Sequence, residues 1–198
     1  MKNNFYITLF GLFILTLFYF TYTLKKSLHE VEKNLNNNRI KYHNLIDSLE
    51  NSFEKKIQNY HNILDSLPLG SPLDTTIVVS NFGPRRSPIT GRWQRHAGVD
   101  LRGTYWDTVY ATGAGKVIMS SWNSGYGKCI EIEHMNGYTS KYAHLSRIWV
   151  KTGDMVSVGQ PIGKCGKTGM VTGQHLHYEI RRYDKLTDPL DYIFVLSK

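Results

Sequence analysis

The stretch Gly169 to Glu179 reads Gly-Met-Val-Thr-Gly-Gln-His-Leu-His-Tyr-Glu, and its end concentrates groups that can do chemistry. Leu176, Tyr178 and Ile180 alternate with His175, His177 and Glu179. A β-strand turns successive side chains to opposite faces, so the two imidazoles share one face. Residues two apart on a strand are separated by about 7 Å. That spacing is awkward for two ligands of one tetrahedral ion. It suits one ligand beside one group that handles protons.

A second imidazole and a carboxylate lie upstream in His96-Ala97-Gly98-Val99-Asp100. Zinc takes neutral imidazole nitrogen and carboxylate oxygen, and a hydrolytic site uses three protein ligands and keeps one position open. His96, Asp100 and His177 make up such a set. Taken alone, the pentapeptide reads equally as a loop histidine and a surface aspartate, and it is the order of all the pieces that decides.

Those pieces are His96-x-x-x-Asp100, Tyr142-Ala143-His144-Leu145, the run Gly153 to Gly163, Gly166-x-Thr168-Gly169 and His175-Leu176-His177-Tyr178-Glu179. In this order and spacing the chain resembles the LytM/lysostaphin-like zinc metallo-endopeptidases, which cleave peptide bonds in bacterial peptidoglycan. The resemblance runs from about Ile77 to Ile193. It implies one zinc ion per chain held by His96, Asp100 and His177, with His144 and His175 flanking the water that attacks. Which of these two is the general base stays open. The family usually places a small residue and Pro or Ala before the histidine pair. Here Gly173-Gln174 stands there, which alters the groove wall and removes no ligand.

Around this centre, Tyr126 and Tyr142 are candidates for packing on a peptide, and Arg85, Arg86 and Arg95 for meeting its carboxylates, each reading equally as ordinary surface or core. Asn81, in Asn81-Phe82-Gly83-Pro84-Arg85, lies in a segment similar to the family's opening motif and is expected to shape the site. His134 reads as a surface residue of a hairpin.

The elements that must position these groups read as short strands. They are expected at 76–79, 108–110, 115–120, 129–134, 139–143, 155–156, 161–164 and 175–181, punctuated by glycine. Asn136-Gly137 is a strong hairpin signal because both residues tolerate positive φ, and it places His144 at the far end of a hairpin. The segments 111–118 and 152–163 share a turn-then-valine pattern, a faint internal half-repeat. The fold expected is a mainly β catalytic domain with an antiparallel sheet, of the duplicated-hybrid or barrel-sandwich type, over residues 76–198.

Ahead of it the chain changes character. Phe5 to Leu24 is uncharged, and twenty helical residues span about 30 Å, enough to cross a bilayer core. No small-residue cleavage site follows, so residues 1–24 read as an uncleaved membrane anchor. Leu24, Leu28, Val31, Leu35, Tyr42, Leu45 and Leu49 recur at three- and four-residue steps, with Asn38 in the remaining seam position; Phe53, Ile57, Tyr60, Leu64 and Leu67 resume after a slip. This heptad pattern predicts an α-helical coiled-coil stalk over 25–67 that pairs two copies. Pro68 and Pro72 end it, leaving 68–75 as a linker.

The net charge of +8 suits an anionic polymer, and with no nucleic-acid motif the cell wall is the expected partner. Cys129 and Cys165 are too few for a disulfide scaffold and read as free thiols. The whole reads as a membrane-anchored zinc metallo-endopeptidase hydrolysing peptidoglycan cross-links. It would be single-pass in the bacterial inner membrane, with its catalytic domain on the periplasmic or extracytoplasmic side. Two alternatives are a non-catalytic regulator of another wall hydrolase and an envelope adaptor of a transport complex. The first generally loses its zinc ligands, and the second has no need of five placed site residues.

Overall fold

The computed structural model describes the backbone of residues 2–193 and the side chains of residues 10–193. The chain divides into two compact units, residues 1–58 and 59–198. A single α-helix, α1 (Lys2–Ser66), supplies the whole of the described first unit. Along it the seam residues Leu28, Val31, Leu35, Leu45 and Leu49 are all exposed. Among the described residues no helix is long and apolar enough to cross a membrane. The expected span begins at Phe5, and the side chains of residues 5–9 lie outside those described.

The second unit is built from short strands: β1 (Val78–Ser80), β2 (Gly83–Arg86), β3 (Trp93–His96), β4 (Val99–Arg102), β5 (Thr108–Tyr110), β6 (Gly115–Asn123), β7 (Gly127–Glu133), β8 (Tyr138–Leu145), β9 (Arg147–Ile148), β10 (Met155–Val156), β11 (Pro161–Lys164), β12 (His175–Arg182) and β13 (Lys185–Thr187). The main sheet runs β1-β4-β12-β8-β7-β6-β10, with β13 on the edge of β12; β5-β11-β9 form a smaller sheet and β2-β3 a separate hairpin. Every pairing is antiparallel, as the sequence leads one to expect.

Alternation along β12 sends Leu176, Tyr178 and Ile180 into the core, where they meet Val99 and Leu101 from β4 and Ile130, Ile132 and Tyr142 from β7 and β8. Val109 and Ile162 reach the same core from the smaller sheet. Asn136 and Gly137, at φ 59° and 73°, make the turn between β7 and β8. β5 pairs with β11 and β6 with β10. Ala111 exchanges backbone hydrogen bonds with the Gly159–Gln160 turn, and Val117 with Gly153 and Asp154.

Two sequence readings are corrected here. His134 is buried, not a surface residue; its ring bonds the Ala114 carbonyl at 2.9 Å and Ser140 Oγ at 2.7 Å. Tyr142 faces the core and not the groove. Its hydroxyl accepts from the Thr112 backbone N–H at 2.9 Å, and Thr112 Oγ1 also meets Tyr178 Oη at 2.8 Å. Hydrophobic periodicity does not distinguish a tyrosine or histidine that finds buried partners from one that meets ligand. The cysteines are free and buried.

Gly98, just before β4, lies against the backbone of β12 at Tyr178. A Cβ built there would stand 2.1 Å from the Tyr178 carbonyl oxygen, which is backbone and has little room to move. Gly98→Ala is therefore expected to destabilise the second unit by about 1–3 kcal/mol or more. A thermal melt several degrees below the parent checks it, and an unchanged melt would contradict this packing.

Candidate active site

The centre is assembled by register. In the β4–β12 ladder His177 stands opposite Asp100, and on its other side His177 stands opposite Ala143, the neighbour of His144. His96 ends β3 and swings its ring over the same point. His96 Nε2, His177 Nδ1 and Asp100 Oδ1 form a triangle with sides of 3.0, 2.9 and 3.1 Å. All three residues are buried, and they are the group of this kind, among the described residues, whose ligand atoms converge closely enough to hold a metal ion.

The far nitrogen of each imidazole is tied down. His96 Nδ1–H donates to the Asn81 carbonyl at 2.7 Å, which leaves Nε2 bare. His177 Nε2–H donates to Glu179 Oε1 at 3.0 Å, which leaves Nδ1 bare. The triangle therefore joins two lone pairs and a carboxylate oxygen, three acceptors that repel one another unless a cation sits among them. Tetrahedral zinc with bonds of about 2.0 Å needs ligand atoms about 3.3 Å apart, close to the observed sides. The residues fit such an ion, and the carboxylate behind His177 is the orienting contact that metal-bound histidines use.

Glu179 is fully buried and deserves its place through its partners. It accepts from His177, from Tyr126 Oη at 2.7 Å and from Arg181 Nη2 at 3.1 Å. Burial alone would raise its carboxyl, but the bonds from His177 and Tyr126 outweigh that and pull it down to about 2. Burial and the bond to Glu179 push the Tyr126 phenol up, so it stays a donor. The other Asp100 oxygen, Oδ2, accepts from Arg85 Nη1 at 3.1 Å, and the same nitrogen reaches Ser80 Oγ. Only one oxygen of Asp100 is thus turned to the centre.

His144 and His175 stand beside the triangle without joining it. Their rings are 4.9 Å apart, and His144 is 5.7 Å from His177. His175 Nε2 lies 3.5 Å from Asp100 Oδ1. Each gives its Nδ1–H to a backbone carbonyl, His144 to Thr168 at 2.9 Å and His175 to Gly173 at 3.0 Å, so each presents an unprotonated Nε2. Burial, reinforced by His177, pushes the His144 imidazole down to about 4; burial also lowers His175. His144 has φ of 62°, a left-handed conformation uncommon outside glycine. It leaves the strand path where its ring must turn to the centre.

A cleft of about 810 Å³ opens over these groups, walled by the β2–β3 hairpin on one side and residues 170–174 on the other. Arg85, Arg86, Tyr126 and Gln174 line it, as the sequence suggests. Arg95 does not; its guanidinium stacks over the Phe82 ring at 5.0 Å. Asn81 shapes the site through its carbonyl and not its side chain. Glu179 and Arg102, which also lines the cleft, were not singled out by the sequence as site residues, although two-residue spacing from His177 and Asp100 marks both.

Residues 94–189 match the family model described as Peptidase family M23. The chain is 49% identical over 112 residues to the peptidoglycan DD-endopeptidase ShyC of Vibrio cholerae, covering 56% of this chain and 26% of that relative. This chain thus spans a small part of the length of the curated relatives it matches. Among solved structures, a zinc-containing peptidase from Vibrio cholerae aligns with TM-score 0.54 and 36% identity, over 62% of this chain and 38% of that one. The catalytic domain of lysostaphin from Staphylococcus simulans aligns with TM-score 0.52 and 32% identity, over 59% of this chain and 91% of that one.

If Glu179 orients His177 for an ion, Glu179→Gln keeps the shape and removes the charge. Metal affinity is expected to fall about 10–100-fold, measured by competition with a chromophoric chelator. An unchanged affinity would show that the carboxylate is only a packing group.

Proposed function

Over residues 94–189 the chain belongs to peptidase family M23, and on that premise we propose that it is a zinc metallo-endopeptidase hydrolysing peptide cross-links of bacterial peptidoglycan. The observation that carries the reading is the triangle of His96 Nε2, Asp100 Oδ1 and His177 Nδ1 at 2.9–3.1 Å with two further neutral imidazoles beside it. His96, Asp100 and His177 hold the ion. Zinc, when bound, supplies a Lewis acid for the scissile carbonyl and a water acidic enough to lose a proton near neutral pH.

The chain's own groups do the rest. Nε2 of His144 and of His175 face the cleft as acceptors. One of them takes a proton from the attacking water and, once charged, returns it to the departing amine. The other, on the opposite flank, steadies the oxygen that gains charge as the carbonyl is attacked. The Thr168 and Gly173 carbonyls keep both rings in the required tautomer. Tyr126, fixed by Glu179, forms part of the wall against which a peptide lies.

The same proposal places the enzyme at the inner membrane. The uncharged stretch Phe5 to Leu24 serves as anchor, the heptad seam of α1 joins two copies, and the catalytic unit lies on the extracytoplasmic side, where its polymer is found. Support for this comes from the sequence pattern and from the exposure of the seam residues.

The test is digestion of purified cross-linked peptidoglycan by the zinc-loaded full chain, with products identified by mass. Cleaved cross-links are expected, and His96→Ala and His177→Ala should each reduce the rate by about 10³-fold or more, as removal of a catalytic centre does. With zinc held in excess, the pH–rate profile should stay high below the ordinary imidazole range, because burial lowers both His144 and His175 and the base, whichever of the two it is, must be neutral. Undiminished hydrolysis by His177→Ala would overturn the reading.

A further inference from the structure

The face of the sheet that carries His177 also carries a buried ion pair that the hydrolytic chemistry does not use. Lys141 of β8 stands opposite Glu179 of β12 on one side and opposite Glu131 of β7 on the other. Residues directly opposed in an antiparallel pair send their side chains to the same face. Glu179, Lys141 and Glu131 therefore form a row across three strands, two residues along β12 from His177. Lys141 Nζ reaches Glu131 Oε1 at 2.6 Å, and Lys141 is buried, with 7% of its surface exposed. Replacing a buried ion pair by well-packed apolar groups is often neutral or stabilising, so core stability alone does not account for an ammonium at this position.

Besides Glu131, the ammonium meets Tyr126. Nζ lies 4.2 Å from the centroid of the Tyr126 ring, the geometry of a cation–π attraction, which strengthens when the cation is desolvated. Tyr126 lies in the turn between β6 and β7, flanked by Gly125 and Gly127 at φ 85° and 66°, so no strand pairing aims its ring. What aims it is what the side chain touches. Its hydroxyl donates to Glu179 Oε1 at 2.7 Å, its face lies under Lys141, and its centroid is 5.6 Å from that of His177. The Tyr126 carbonyl accepts from the His144 backbone N–H at 2.9 Å. One residue thus joins both halves of the centre, its hydroxyl on the carboxylate behind His177 and its carbonyl on the strand end that aims His144.

We infer that Lys141 is a positioning residue of the metal centre, acting through Tyr126. Its ammonium, fixed by Glu131, holds the Tyr126 ring and keeps the phenol on Glu179 Oε1. That oxygen is the one that accepts from His177 Nε2 at 3.0 Å, while Arg181 binds only the other, Oε2. Tyr126 is therefore the group that keeps Oε1 aligned behind the ligand, and Lys141 is the group that keeps Tyr126 in place. An apolar residue at 141 would fill the space without attracting the ring face, whereas arginine would retain the attraction. The inference rests on the reading of His96, Asp100 and His177 as zinc ligands, and it adds a residue that is not part of the cleft lining.

A double-mutant cycle read in zinc affinity tests it, using the full chain, competition with a chromophoric chelator, and the melting temperature of each zinc-free variant. Lys141→Met is expected to weaken zinc binding about three- to tenfold, less than the 10–100-fold loss expected for a group bonded directly to a ligand, and Lys141→Arg to recover most of it. Because the lysine acts through the phenol, Lys141→Met should add nothing to the loss caused by Tyr126→Phe, the non-additivity expected of coupled neighbours. If Lys141→Met fails to fold, Lys141→Met with Glu131→Gln removes the pair without stranding a buried carboxylate and carries the same expectation. Unchanged zinc affinity with a lowered melting temperature would show a purely structural ion pair, and losses that simply add in the double variant would show that Tyr126 is not the link. Either overturns the inference and leaves the endopeptidase reading standing. A parent that binds no zinc overturns the metal centre itself, and the inference with it.

Discussion

The site depends on one register. Because β12 is hydrogen-bonded to β4 on one side and β8 on the other, His177 is fixed opposite Asp100 and beside the end of β8 that carries His144. Side chains alternate with a period of two, so a slip of one residue would turn His175, His177 and Glu179 into the core and Leu176 and Tyr178 into the cleft. The apolar residues forbid that slip. Leu176, Tyr178 and Ile180 are fully buried, and burying side chains of this size contributes about 1.5–3 kcal/mol each. The same pattern that makes the core therefore aims the ligands, and Gly98 admits the close approach of strands on which the aim rests.

Register places the groups, while hydrogen bonds decide what they are chemically. Three of the four imidazoles give Nδ1–H to a backbone carbonyl, and His177 gives Nε2–H to Glu179. Every ring then turns a bare nitrogen toward the cleft. The difference between ligand and proton carrier follows from what stands nearby. His177 lies between Asp100 and Glu179, whose charges raise its affinity for positive charge against the cost of burial. His144 and His175 lack such an enclosure, and burial keeps them neutral. Glu179 is affordable as a buried charge because Tyr126 and Arg181 complete its hydrogen bonds, as a buried ion requires.

Much of this was legible in the chain. Alternation in β12 gave away its faces, and the order of His96, Asp100, His144, His175 and His177 pointed to the family and the ligand set. The strands missed were β2, β3, β4, β9 and β13. Their length is not the reason, since β5 and β10 are as short and were read; β2 and β3 pair only with each other, outside the main sheet, and β2 contains a proline. Asn81 acts through its carbonyl, a group every residue has, which no side-chain pattern reveals. His134 and Tyr142 were misplaced for a related reason: their partners, Ala114 and Thr112, lie 20 and 30 residues away, and only the folded sheet brings them together. Glu179 and Arg102 had a signal, since each lies two residues from a ligand on its own strand.

The most direct check on this construction is the X-ray absorption spectrum of the zinc-loaded full chain. A register-built centre predicts a shell of nitrogen and oxygen at about 2.0 Å with the scattering of two imidazoles, and one imidazole fewer in His177→Ala. A sulfur shell at about 2.3 Å, or scattering from three or four imidazoles, would contradict it. Either result would mean that Cys129 or Cys165, or the rings assigned here to proton transfer, hold the metal instead.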